Sequence, residues 1–171
     1  MMKFGPIAAA VIGSVALEAA QAGRTLDLQA MQRAVFPRAV GFSPKEGDLP
    51  HYKAFLDDNA RLGGLVFWTT DIEPLERGYD GPIKMLVGMD TNGVLTGLVV
   101  VDHHEPYGNF SVDEPRFAAQ FKGKNIRDPF KVGGDVYAVS RATITITSAT
   151  RAVRNGARRL ARQLLTPPAA R

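Results

Sequence analysis

Two apolar runs, residues 83–89 and 94–102, are separated only by Asp90-Thr91-Asn92-Gly93, and no other stretch constrains the fold as much. Val, Ile, Leu and Met dominate both runs, and each has the length of a strand. An Asn-Gly pair reaches the positive φ angles that a tight antiparallel turn requires, so the two runs form a hairpin. Along 94–101 both alternating sets carry bulky side chains: Leu98 and Val100 on one, Leu95, Val99 and Val101 on the other. A strand of that kind is covered on both faces, which predicts a central position in the sheet.

The neighbouring segments extend this sheet and cover it. Residues 26–36 place Leu28, Met31, Val35 and Phe36 near helical spacing, and Pro37 ends that helix. Residues 38–50, with Pro44, Gly47 and Pro50, read as a loop. Strands are expected at 52–56 and 64–70, a brief helix at 114–120, and a basic, glycine-containing connection at 121–134. The run 139–147 is strand-like. Thr147 or Ser148 then caps a last helix reaching about 165, where Pro167-Pro168 forbids continuation. Val153, Ala157, Leu160 and Leu164 form its apolar stripe. With 171 residues, 45% of them hydrophobic and 22% charged, the chain is long and apolar enough for one core. The expected class is a single α+β domain: a twisted, mostly antiparallel sheet with flanking helices.

Residues 1–22 read as a targeting leader rather than as part of the fold. Lys3 precedes an apolar run over 4–17, and Ala20-Gln21-Ala22 has the small-x-small form of a signal-peptidase site. Cleavage after Ala22 leaves 23–171; retention leaves an N-terminal anchor. Both readings put the domain outside the cytoplasm, in a periplasm or its equivalent. The chain has no cysteine, which removes disulfides, iron–sulfur clusters and Cys-ligated zinc from consideration. Arg151, Arg154, Arg158, Arg159, Arg162 and Arg171 exceed by themselves the net charge of +4, so the remainder is net negative. These arginines either form a solvated helix face or dock a partner or an anionic lipid surface. An exported chain is a poor candidate for binding nucleic acid.

Three segments carry residues suited to chemistry. Ser140-Arg141-Ala142-Thr143-Ile144-Thr145-Ile146-Thr147 lies just before a helix start, where free N–H groups favour a phosphate and hydroxyls and Arg141 add donors. The same Thr/Ile alternation also describes a strand with one polar face. His103-His104-Glu105-Pro106 follows the second hairpin strand. Its two histidines point to opposite faces and lack a third ligand at a motif spacing, so the string either lines a cofactor pocket or forms a solvated loop. In Gln120-Phe121-Lys122-Gly123-Lys124 the lysines face either a phosphate or water. No nucleophile elbow, dinucleotide fingerprint or phosphate loop is present.

Taken in order, Gly78-Tyr79-Asp80-Gly81-Pro82-Ile83, the hairpin, His104-Glu105-Pro106, Gln120-Phe121-Lys122-Gly123-Lys124 and Ser140-Arg141-Ala142-Thr143-Ile144-Thr145 resemble the FMN-binding domain family. That family includes flavoprotein subunits of the sodium-pumping NADH:quinone reductase and of the Rnf complex. His103-His104-Glu105-Pro106 and the stretch from Phe36-Pro37 to Gly47-Asp48 are most similar to its NosR/NirI branch. The resemblance covers about 36–165 and implies FMN as cofactor. It further implies that a flavin transferase moves FMN from FAD onto the last threonine of a Ser/Thr-Gly-Ala-Thr motif through a phosphoester. Thr143 stands at that position, with Ser140 and Ala142 matching; Arg141 stands where the pattern has Gly, and Tyr137 where it has Asp, with Asp135 displaced by two. His104 and Glu105 are then candidates to line the flavin pocket, and Thr145 is the next hydroxyl after Thr143. The implied role is a small electron carrier serving a separate membrane-bound redox protein, rather than an enzyme with its own substrate. A module that holds FMN without a covalent bond, or that has lost it, is the alternative implied by Arg141 and Tyr137.

Overall fold

The computed structural model describes residues 27–165. The leader, Pro167-Pro168 and Arg171 lie outside the described residues. The chain divides into two compact units, Met1–Met31 and Gln32–Arg171. In the first, 27–31 are helical; they open helix α1 (27–35), whose last turn belongs to the second unit.

The second unit is built on an open antiparallel sheet in the order β1 (Gly41–Phe42), β2 (Tyr52–Phe55), β3 (Leu62–Trp68), β4 (Lys84–Asp90) and β5 (Leu95–Asp102). Short helices α2 (Thr69–Ile72) and α3 (Pro115–Ala119) and the long α4 (Thr143–Leu160) flank it. This is the expected α+β class. The hairpin forms between β4 and β5, with Val87 opposite Leu98 and Gly88 opposite Gly97. Its turn is tightened by Asp90, whose Oδ1 accepts the N–H groups of Asn92 and Val94, both at 2.9 Å. Gly93 alone in this turn has a positive φ, 78°, so the turn needs left-handed backbone at one residue rather than two.

Side-chain alternation sends Leu65 and Phe67 of β3 and Met85, Val87 and Met89 of β4 to one face, and a register shift opposite Gly88/Met89 brings Leu95 to that face together with Leu98, whereas unbroken alternation separates the two. There they pack against Ile146, Ala149, Val153, Ala157 and Leu160 of α4. Each such large side chain, fully buried, contributes about 1.5–3 kcal/mol. The opposite face is covered by the end of α1: a Cβ on Gly97 would lie 2.8 Å from Val35 Cα, so that approach requires glycine.

The structure corrects three expectations. First, β5 is an edge strand, not a central one. Its first half is covered, by Val35 on one face and by the core cluster beside α3 on the other, while Val101 and Asp102 at its far end are exposed; its outer edge is partly closed by the 121–126 connection. Leu95 N–H donates to Lys124 O and Gly123 N–H to Leu95 O, both at 2.8 Å. Bulky residues on both alternating sets report what lies above and below part of a strand, not how many strands lie beside it. Second, the strand expected at 139–147 and the caps at Thr147 or Ser148 give way to a helix that starts at Thr143 with Ala142 as its N-cap. Ile146, Ala149, Val153, Ala157 and Leu160 are buried at helical spacing, and packing them on the sheet overrides the strand preference of the β-branched residues. Third, Leu164 is exposed. Residues Ala161–Leu165 form a π-helical turn, whose wider spacing rotates Leu164 off the stripe.

Candidate functional site

Moving the helix start to Thr143 places an uncapped helix end beside the loops that leave β5. The first intrahelical bond runs from Ile146 N–H to Ala142 O at 2.9 Å, so the N–H groups of Thr143, Ile144 and Thr145 point outward without intrahelical acceptors. Among the described residues no side chain caps this end, and its first turn has no acid. It opens into a cavity of about 320 Å³ walled by Tyr79, Pro106, Tyr107 and residues 141–145. Three apolar side chains stand unusually bare here: Tyr79 at 70%, Ile144 at 58% and Tyr107 at 48% exposure.

Glu105 holds the two sides of the cavity together. It is 6% exposed and lies behind the wall rather than in it. Its Oε1 accepts the N–H of Asp80 at 3.0 Å and its Oε2 that of Tyr79 at 3.1 Å, while the Thr145 hydroxyl also donates to Oε2. One carboxylate thus fixes the 78–81 loop to the first turn of α4. His103 fixes Glu105 in turn. Its Nε2–H donates to Asp113 Oδ1 at 2.7 Å, and its Nδ1 accepts the Glu105 N–H at 3.1 Å.

The two candidate threonines therefore differ. Thr145 is 3% exposed with its hydroxyl committed to Glu105, whereas Thr143 is exposed in the cavity wall. Ser140 and His104, both candidates on sequence, are exposed and lie outside the wall. Arg141 lies in the wall with φ 69°, the left-handed region. That angle gives a physical reason for glycine in the motif at this position.

Asp135 does not stand in for the acid that Tyr137 replaces. It accepts the N–H groups of Lys131 at 2.6 Å and Phe130 at 3.1 Å and pairs with Lys124 Nζ at 3.0 Å. Desolvation pushes its carboxyl up, but those hydrogen bonds and the Lys124 charge together outweigh it and hold the group below the usual range. Lys124 is thereby committed to a loop, and Lys122 borders a different cavity. Tyr137 is anchored through its N–H to Gln120 Oε1 at 2.7 Å, with the Arg116 guanidinium 4.5 Å above its ring.

Three arginines of α4 are taken up within the fold. Arg158 donates to Ile126 O and Asp128 O, both at 2.7 Å; Arg159 donates to Ile72 O at 3.0 Å; Arg151 pairs with Glu76 at 2.8 Å. Sequence reasoning did not single out Tyr79, Pro106, Tyr107 and Ile144 as wall residues. The signal to be read was two tyrosines in loops, each beside a glycine, with no periodicity to bury them. Among the described residues no helix is long and apolar enough to cross a membrane.

An uncapped helix end with exposed aromatic surface around it is a site for a phosphate-bearing aromatic ligand, and residues 78–158, which include the whole cavity wall, match the FMN-binding domain family. This part of the chain is an FMN-binding domain. The chain is similar to the G subunit of the ion-translocating oxidoreductase complex of Escherichia coli K12, at 37% identity over 102 residues, 54% of this chain and 48% of the relative. It is similar also to the same component of Erwinia tasmaniensis, at 36% over 87 residues, 45% of this chain and 41% of the relative. The counterpart in Vibrio vulnificus is 34% identical over 88 residues, 46% of this chain and 42% of the relative. The chain thus spans less than half the length of each of these three. The nearer resemblance to the NosR/NirI branch rests on the sequence motifs alone.

Proposed function

We propose that the domain carries FMN at the start of α4, attached through a phosphoester to Thr143, and acts outside the cytoplasm as an electron carrier for a membrane-bound oxidoreductase complex. The observation that carries this reading is the pairing of an exposed Thr143 hydroxyl with an uncapped, acid-free helix end inside a family match. The residues fit the group. Free N–H groups of the first turn and Arg141 suit a phosphate, and the bare faces of Tyr79, Tyr107 and Ile144 suit a flat ring. Bound flavin supplies reversible electron uptake and release. The chain's own residues bind and orient: Glu105 holds Tyr79 against α4, and Thr145, already donating to Glu105, leaves Thr143 as the reachable hydroxyl. The names of the oxidoreductase-complex relatives support a membrane redox partner, and the leader over 1–22 supports export.

Attachment replaces the Thr143 O–H bond with an O–P bond as a flavin transferase cleaves FAD and AMP leaves. The test is coexpression with such a transferase, denaturation and mass spectrometry. The wild type gains one FMN less one water, Thr143→Ala does not, and Thr145→Ala still does. Retention of the adduct in Thr143→Ala refutes the assignment. A second reading, FMN held without a covalent bond, is favoured by Tyr137 in place of the acid and Arg141 in place of glycine. It predicts yellow native protein that loses all flavin on denaturation.

A further inference from the structure

A second cavity, of about 400 Å³, lies away from the α4 site and takes no part in the function proposed above. Its floor is apolar, formed by Phe36, Pro37 and Leu56, and its rim holds Arg38, Lys122 and Asn92. Arg38 and Lys122 are exposed and have no ion-pair partner among the described residues. The acid at the rim, Asp90, is engaged by the turn, its Oδ1 accepting two backbone N–H groups. The rim is thus net positive and rich in free donors over an apolar base.

The wall is rigid. Thr96, which contributes to it, donates its hydroxyl to Val35 O, and Thr91 N–H donates to Gly63 O at 3.3 Å. Both interactions fix the hairpin end against the segments that carry Phe36 and Leu56. A preformed concave site with an apolar base and a few convergent polar groups is the usual form of a small-molecule site.

We propose that this cavity binds a small organic anion: a carboxylate or similar acid with an apolar body. The acid group pairs with Arg38 and Lys122 while the body covers Phe36 and Leu56. The cavity is not a substrate site for flavin chemistry at α4. Thr96 lies in its wall, whereas the 78–81 and 105–107 loops lie beyond Asp102, and β5 spans about 20 Å between those residues. Direct transfer needs reacting atoms within about 3.5 Å. Occupancy would instead stiffen the hairpin turn and the α1 end together.

The test titrates 2-naphthoate into the full chain and follows backbone amide resonances. Saturable shifts are expected at Gly63, Thr91, Asn92 and Thr96, with little change at 143–145. The double variant Arg38→Gln/Lys122→Gln, at two exposed positions, should keep the wild-type spectrum and raise the dissociation constant about tenfold. The cationic analogue 2-naphthylmethylammonium should not bind there. Scattered shifts, shifts centred on α4, equal binding by the double variant or the cation, or equal binding of inorganic phosphate would each overturn the proposal. Thr143→Ala leaves this titration unchanged, so its result and that of the flavin experiment are read separately.

Discussion

Replacing Glu105 by glutamine changes one atom of a buried carboxylate and removes one of its two acceptors. In the native site Oε1 takes Asp80 N–H while Oε2 takes Tyr79 N–H and the Thr145 hydroxyl. A glutamine oriented with its oxygen toward Tyr79 and Thr145 sets its NH2 group against the Asp80 N–H. The reverse orientation sets it against Tyr79 N–H, with only the Thr145 hydroxyl free to turn and accept. Either way one bond to a charged acceptor is lost and one donor faces another, at a cost of about 2 kcal/mol. Glu105→Ala leaves all three donors without an acceptor and should cost about 4 kcal/mol, reduced by relief of burying a charge. Against a total stability of about 5–15 kcal/mol both variants remain folded. Urea denaturation reads the difference as a lower midpoint with an unchanged slope, and hydrogen exchange should show loss of protection at Tyr79 and Asp80 ahead of the β4–β5 core. A midpoint for Glu105→Gln within about 0.5 kcal/mol of wild type would show that the carboxylate does not brace the cavity.

Arg141→Gly relieves left-handed backbone at φ 69° and should stabilise the fold by about 0.5–1 kcal/mol, since the gain exceeds the entropy cost of glycine; a lower thermal midpoint would refute the strain. Gly97→Ala sets a Cβ 2.8 Å from Val35 Cα, which is backbone and cannot turn aside, so the variant should lose about 2–3 kcal/mol in denaturant titration. A loss below about 0.5 kcal/mol would mean that the 35–36 segment yields easily. Asp135 has a depressed folded pKa, so its contribution is full above its unfolded value near 3.8 and disappears as pH falls through the lower folded value. Wild type should therefore exceed Asp135→Asn in stability at pH 7, and the gap should narrow only as pH falls below the unfolded value near 3.8 and close below the folded pKa, as measured by thermal midpoints across pH. A gap that stays constant with pH would assign the difference to something other than this carboxylate.

Local chemistry made the hairpin legible: Asp90 and Gly93 form the turn from within five residues, and the apolar runs on either side can pair in few registers. The motif order likewise points to a flavin domain from sequence alone, because the family pattern rests on residue identity. Two features depended on distant partners. The alternation of Thr and Ile over 143–147 satisfies a strand and a helix equally well, and the choice is made by the sheet core, in whose cluster Ile146, Ala149 and Val153 are buried at helical spacing. The roles of His104 and Glu105 were inseparable in sequence. One stays outside the core, and the other is buried because Thr145, forty residues on, and Tyr79, twenty-six residues before, converge on its carboxylate. Sequence determines which residues can turn, pair and donate; which hydroxyl is left facing the cavity is decided by packing, because burial is a property of the whole chain and not of any segment.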